Sequence, residues 1–338
     1  MNTPRNALYA VCLAMAASGC QNVAPPAAGI APLAASTAAA ATPPAAAAGT
    51  APDSDIFIAD LDLAKGAVTQ VRNVTRHPGY DNQPAFVPGS DALWFVSGRN
   101  GATDVYRYDI GSGATTRVSA TAEAEFSPTP LPDGSGFSVT RVGAPGSSGE
   151  AYTESQQLWR YSADGKPLGS VLPAGRVGYH AWLDGRRVAL FLVGNAELKQ
   201  ANTLVLADLA TGAITPMAAS IGRSLARTPD GKRISFVDKR DPARWTVVAI
   251  APGEAAPSML VAVPASPAGT RDSDRSEDIC WLPDGSLLMA QEGQLLRWNG
   301  QAGAGFVPFA GLKGLGGAIK RLAVSADGKR LAFVVQMR

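Results

Sequence analysis

Histidine is almost missing: His77 and His180 are the only two in 338 residues. So small a number excludes a His-rich metal centre and the zinc motif His-Glu-x-x-His. Cysteine is nearly as scarce. Cys12 and Cys20 fall in an N-terminal leader, which leaves Cys280 alone in the rest of the chain with no partner for an intramolecular disulfide. It stands in Ile279-Cys280-Trp281-Leu282, where a free thiol packs as a small hydrophobe. An excess of charge is absent too. The net charge is +2, and without Arg5 of the leader 29 basic side chains face 28 acidic ones, which gives no footprint for nucleic acid. No Gly-x-Ser-x-Gly elbow occurs, so the hydrolase domain that carries one is not encoded here. The glycine clusters Gly111-Ser112-Gly113 and Gly314-Leu315-Gly316-Gly317 lack the remaining positions of phosphate-cradling loops. No cofactor and no metal is therefore expected.

Two regions divide the chain. Residues 1–19 have a positive start, the apolar run Ala7–Ala16 and a small-residue end, the pattern of a secretory signal. The run is shorter than the ~20 apolar residues of a permanent span. Ala17-Ser18-Gly19-Cys20 resembles the lipobox of bacterial lipoproteins, in which the cysteine is lipidated, so Cys20 is the expected lipidation site; simple cleavage without lipid is the alternative. Residues 20–53 are rich in Ala, Pro and Thr with almost no charge, an extended spacer with no means of burying a core. Residues 54–338 carry the charges, aromatics and turn signals of one folded unit.

Within that unit two motifs alternate six times. The first is a hairpin signal, an apolar run, a Pro/Asp/Gly turn and a second apolar run. Leu131-Pro132-Asp133-Gly134 before Phe137-Ser138-Val139 is one example and Leu282-Pro283-Asp284-Gly285 before Leu287-Leu288-Met289 another. The second is an alternating strand such as Asp104-Val105-Tyr106-Arg107-Tyr108 or Thr203-Leu204-Val205-Leu206-Ala207. A weaker strand follows each, giving four strands per unit at roughly 43 to 54 residues, the spacing of propeller blades. Motif order fixes how the ring closes. The unit opens on a third-strand motif at Asp55–Leu61 and finishes on a first-and-second-strand hairpin at Ile319–Val335, so a single blade shared between the two ends hides both edges. A linear stack of sheets would leave both unpaired. The expected fold is all-β, a six-bladed β-propeller with its closing blade shared between N- and C-terminal strands.

Asn82-Gln83-Pro84-Ala85-Phe86-Val87-Pro88-Gly89 followed by Ser97-Gly98-Arg99-Asn100-Gly101-Ala102-Thr103-Asp104-Val105-Tyr106 resembles the WD40-like repeat of the TolB-like family. The likeness covers about residues 55–335; the later blades keep the Asp-Gly turn and lose the Ser-x-Arg-x-Gly loop. TolB proper carries a further α/β domain before its propeller, where this chain has leader and spacer.

Aligned by their turns, the six hairpins put Asn82, Phe126, Gly178, Arg223, Glu277 and Lys320 at one equivalent position, with Asp81, Glu125 and Asp278 beside them. These are expected to encircle one mouth of the central channel, with Tyr179 and His180 in the same strand starts. Loops 97–103, 143–155, 194–202 and 238–244 share that face in propeller topology, and the spacer should leave from it as well. Aromatics and arginines there suit a protein or peptide partner. His180 alone reads as a satisfied inner-strand histidine and His77 as a loop residue. Residues 271–278 offer oxygen ligands, but Arg271 and Arg275 interrupt them, so a solvated loop is expected rather than a calcium site. The functional expectation is a non-catalytic binding protein, an outer-membrane lipoprotein facing the periplasm or a soluble periplasmic protein, attached to the membrane only through its lipid. Two other readings stand beside it: a hydrolase or lyase acting on a glycan or small molecule through Asp81, Glu125, Glu277 and Asp278, and a structural subunit of an envelope assembly.

Overall fold

The computed structural model describes residues 53–143, 147–267, 270, 275–312 and 314–337. The signal and lipobox expected over 1–20, and nearly all of the spacer, lie outside the described residues. The chain enters through β1 (Ser54–Asp62) and β2 (Ala67–Asn73). Five four-stranded antiparallel sheets follow in order. They are β3 (Asp81–Phe86), β4 (Ala92–Asn100), β5 (Ala102–Asp109) and β6 (Thr115–Arg117); then β7 (Ala124–Pro130), β8 (Gly136–Val142), β9 (Gln156–Ser162) and β10 (Pro167–Ser170). The third is β11 (Val177–Trp182), β12 (Arg187–Leu192), β13 (Thr203–Asp208) and β14 (Ala213–Ala219). The fourth is β15 (Ala226–Arg227), β16 (Ile234–Asp238), β17 (Thr246–Ile250) and β18 (Ser258–Ala262), and the fifth β19 (Ile279–Trp281), β20 (Leu287–Gln291), β21 (Gln294–Trp298) and β22 (Val307–Gly311). Last come β23 (Gly317–Val324) and β24 (Arg330–Met337), which complete the first pair in the order β2-β1-β24-β23. Six blades result, and the closing one is shared between the two ends as the motif order requires. Its seam runs unbroken from Ser54↔Gln336 to Asp60↔Arg330.

The core is a ring of six apolar clusters, one between each pair of neighbouring blades. Alternation along the strands builds it, because successive side chains point to opposite faces. On β24, Leu331, Phe333 and Val335 pack toward the fifth blade with Leu288 and Leu295. Ala332 and Val334 on the same strand pack toward Leu93 and Phe95 of the first. Similarly Val188 and Leu190 of β12 join Leu158 of the second blade, while Ala189 and Phe191 join Phe236 of the fourth. β12 and β24 are thus apolar on both faces and read as continuous hydrophobic runs.

The Asp-Gly hairpins turn as their composition demands. Gly134 stands at φ +72°, a conformation that costs a side-chain-bearing residue roughly 1 kcal/mol. Asp184-Gly185 is the exception: its glycine is not in that region, and Asp184 Oδ1 instead accepts from the backbone N–H of Arg186 and Arg187 at 2.9 and 2.8 Å. One helix was not legible in advance. The six-residue α1 (Gly149–Glu154) lies between β8 and β9, held by Arg176, which pairs with Glu154 at 2.6 Å and also with Glu150.

Candidate functional site

The innermost strands do not run straight into the channel. Register slips between Asn82 and Ala85, Phe126 and Thr129, Val177 and Tyr179, and Lys320 and Leu322 mark a bulge repeated in four of six blades. At three of them a non-glycine residue is left-handed: Gln83 at φ +55°, Ser127 at +56° and Arg321 at +49°. Each such residue costs about 1–3 kcal/mol, and strain recurring at one ring position points to a function for that position.

The bulges re-aim the ring. The side chains bordering the axial cavity sit one residue after the position the turn alignment selects: Gln83, Ser127, Tyr179, Ser224, Asp278 and Arg321, one from each blade. Of the nine residues expected at the mouth, Tyr179, His180, Arg223 and Asp278 line this cavity of about 180 Å³. Asp81, Asn82, Glu125, Glu277 and Lys320 do not line it. Asp81 is fully buried and held by Arg99 at 3.1 Å. Glu125 is buried between the first two blades, accepting from Tyr161 Oη at 2.9 Å, from Ser119 at 3.2 Å and from Thr121; burial raises its pKa against these bonds. Asn82 caps the bulge, its Oδ1 accepting from the N–H of Gln83.

A chain of charges crosses the cavity. Arg321 donates to Tyr179 Oη at 2.9 Å from the opposite side of the ring, lies 4.9 Å from the centre of that ring, and approaches Asp278 at 3.4 Å. Asp278 meets Arg223 at 3.0 Å; Arg223 meets Glu277 at 2.9 Å, and Glu277 meets Lys239 at 2.6 Å. Burial would raise the pKa of Asp278, but Arg321 and Arg223 outweigh it and hold the carboxyl down at about 2. Glu277 and Asp278 are 6% and 5% exposed, so the solvated loop expected over 271–278 is corrected at its described end: two guanidinium groups draw its carboxylates inward. The phenol of Tyr80 is pushed up by burial, with Arg321 and Arg223 opposing and Tyr179 and Tyr152 reinforcing, so three tyrosines and two arginines lie within electrostatic reach of one another. Tyr152 belongs to α1, in the 143–155 loop. Ser54 reaches the same place: its N–H donates to Gly79 O at 2.9 Å and its Oγ to Asp81 O at 3.1 Å. The entering chain therefore arrives beside the mouth.

His180 is 6% exposed, and burial alone lowers its pKa to about 3, so the ring is neutral. Ser138 Oγ lies 2.7 Å from Nε2 and accepts from Trp182 Nε1 at 2.9 Å. Cys280 behaves as its apolar segment implies, its thiol pushed up to about 12 by burial. Among the described residues no three His, Cys, Asp or Glu side chains are grouped to hold a metal ion.

The motif arginine that sequence reasoning left unassigned is a buttress. Arg99 donates to Ser97 Oγ at 2.7 Å, pairs with Asp81 and lies 4.8 Å from the ring centre of Tyr106. Arg141 over Trp159 at 4.2 Å and Lys239 over Trp245 at 4.1 Å repeat the arrangement in other blades. Favourable cation–π contact thus ties the end of the second strand to the third strand or its approach.

No protein-family model matches the chain, and no curated protein matches it. Solved structures do. A TolB-type protein from Agrobacterium tumefaciens superposes with a TM-score of 0.61 at 14% identity, over 84% of this chain and 99% of that one. An oligogalacturonate lyase in complex with manganese gives 0.55 at 15% identity, over 82% of each chain. A gluconolactonase from Xanthomonas campestris gives 0.55 at 12%, over 86% of this chain and 99% of that one. At such identities the likeness speaks for architecture, and the architecture is that of a TolB-like six-bladed β-propeller.

Proposed function

We propose that this chain is a non-catalytic binding protein of the cell envelope that grips a protein or peptide partner at the mouth of its channel. The observation that carries the proposal is the Tyr179–Arg321–Asp278–Arg223 network crossing the cavity, with Tyr80 and Tyr152 in its electrostatic surroundings. Tyrosine and arginine in a preorganised, partly desolvated cluster are the residues on which protein interfaces concentrate their energy. A TolB-like fold accords with a periplasmic setting, and Cys20 would supply the lipid that retains the protein at the outer membrane.

The two enzymes that share the fold raise a second reading, catalysis in the channel. Its carboxylates do not assemble. Asp81 and Glu125 lie off the cavity, and Glu277 and Asp278 are committed to ion pairs. A general acid or base works best with a pKa near the working pH, whereas His180 at about 3 and Asp278 at about 2 are far from it. The donor set among the described residues does not suit manganese either, since one neutral histidine and one double-paired aspartate there form no cluster of oxygen ligands.

Affinity capture from cell envelopes with the full chain tests the proposal, using Arg321→Glu and Cys20→Ser beside the wild type. A partner retained by wild type and by Cys20→Ser, and lost with Arg321→Glu, is the expected result; Cys20→Ser should also move the chain from the membrane to the soluble fraction. Capture indifferent to Arg321→Glu would remove the mouth from the interaction.

A further inference from the structure

The cavity beneath the mouth is short of acceptors. Three cations, Arg223, Lys239 and Arg321, pair with two carboxylates, Glu277 and Asp278. A guanidinium has five N–H donors; in Arg223 and Arg321 both terminal nitrogens already reach one side-chain acceptor each, which leaves each terminal nitrogen a second hydrogen. Buried polar atoms are satisfied in more than about nine cases of ten. Here Arg223 Nε, His180 Nδ1 and Ser127 Oγ are all buried without a partner, and all three belong to residues lining this one cavity.

Two of the three are donors. Arg223 Nε carries a hydrogen at any accessible pH, and the Ser127 hydroxyl rotates to suit its neighbour. His180 Nδ1 donates or accepts according to its tautomer, since Ser138 Oγ, 2.7 Å from Nε2, has Thr129 O at 3.3 Å to donate to. The cavity is small as well. About 180 Å³ holds roughly six waters at ~30 Å³ each. That is below the ~300–1,000 Å³ of pockets that enclose a whole drug-sized molecule. One acidic side chain or chain terminus is of a size to fill it.

We infer that the channel is a receptor for a single carboxylate of a peptide partner, an Asp or Glu side chain or the C-terminal carboxylate, held by Arg321 and Arg223 with the Ser127 hydroxyl completing the donor set. The inference rests on the proposed peptide-binding function and names what that function recognises. Guanidinium and carboxylate match through paired, charge-assisted N–H···O bonds, as Asp278 already demonstrates from within the protein. The tyrosines above then cover the residues flanking the anchor.

Selection of displayed random seven-residue peptides on the full chain, followed by synthesis of the strongest binder with and without its acid, tests the inference. The selected peptides should share one carboxylate. Replacing it by its amide should weaken binding by more than about tenfold, the loss that accompanies removal of one partner of a buried charge pair. Arg321→Gln should weaken it similarly, and Ser127→Ala, which removes the hydroxyl without touching the ion pairs, should weaken it to a smaller extent with unchanged unfolding behaviour. Peptides that bind equally well as amides would overturn the carboxylate anchor and leave the proposed function standing. Failure to select any peptide, or binding of oligogalacturonate in its place, would overturn both.

Discussion

His180 shows how a single residue reports on the channel. Its folded pKa of about 3 lies below the usual value near 6.5, so between those pH values the unfolded chain binds a proton that the folded chain refuses. Stability contributed by the neutral ring is complete above pH ~6.5 and is lost as the pH falls toward 3, by up to ~1.4 kcal/mol per pH unit. In urea denaturation at several pH values across that window, His180→Gln should lose stability less steeply than wild type; parallel losses would mean that the folded ring is protonated. At this scale the sequence was partly legible. Tyr179, His180, Arg223 and Asp278 were placed in the strand starts, but Gln83, Ser127 and Arg321 were missed. The turn alignment assumes strict alternation, and a left-handed bulge shifts every preceding side chain by one place. The carboxylates Asp81 and Glu125 misled for a related reason. Polar residues near a channel look like lining until Arg99 and Tyr161 are seen to claim them.

At the scale of elements, hairpins and strands were legible because their signals are local: an Asp-Gly turn, then alternation. The helix α1 was not. Gly149-Glu150-Ala151-Tyr152-Thr153-Glu154 has no apolar periodicity, and its anchor Arg176 lies more than twenty residues away. Two glycines separate what a turn needs from what packing needs. A Cβ at Gly134 would meet nothing within 4 Å, so Gly134→Ala carries only the positive-φ cost of about 1 kcal/mol. At Gly165, φ +86°, a Cβ would come to 2.0 Å from Val118 O of the neighbouring blade. Gly165→Ala should therefore cost more than about 3 kcal/mol, the range of strain combined with overpacking. Urea midpoints of the two variants check this, and equal values would contradict the close approach.

For the whole molecule, the order of the motifs carries the most information. A third-strand motif first and a hairpin last require the seam between β1 and β24, and its seven consecutive pairs, with Phe57 stacked on Phe333 at 5.7 Å, close the ring without a free inner edge. That closure has a functional consequence, because Ser54 enters beside Gly79 and Asp81 on the face that carries Tyr80, Tyr152 and Arg321. The proposed partner and the start of β1 therefore share one face of the disc, while the Asp-Gly turns occupy the other. The most direct measurement is site-specific photocrosslinking in cells. A photoreactive residue replaces either Tyr152 at the mouth or Arg186, which pairs with Asp208 at 2.6 Å in a turn on the opposite face. A protein adduct formed from position 152 and not from position 186 is the predicted result; an adduct from 186 with none from 152 would contradict binding at the channel mouth.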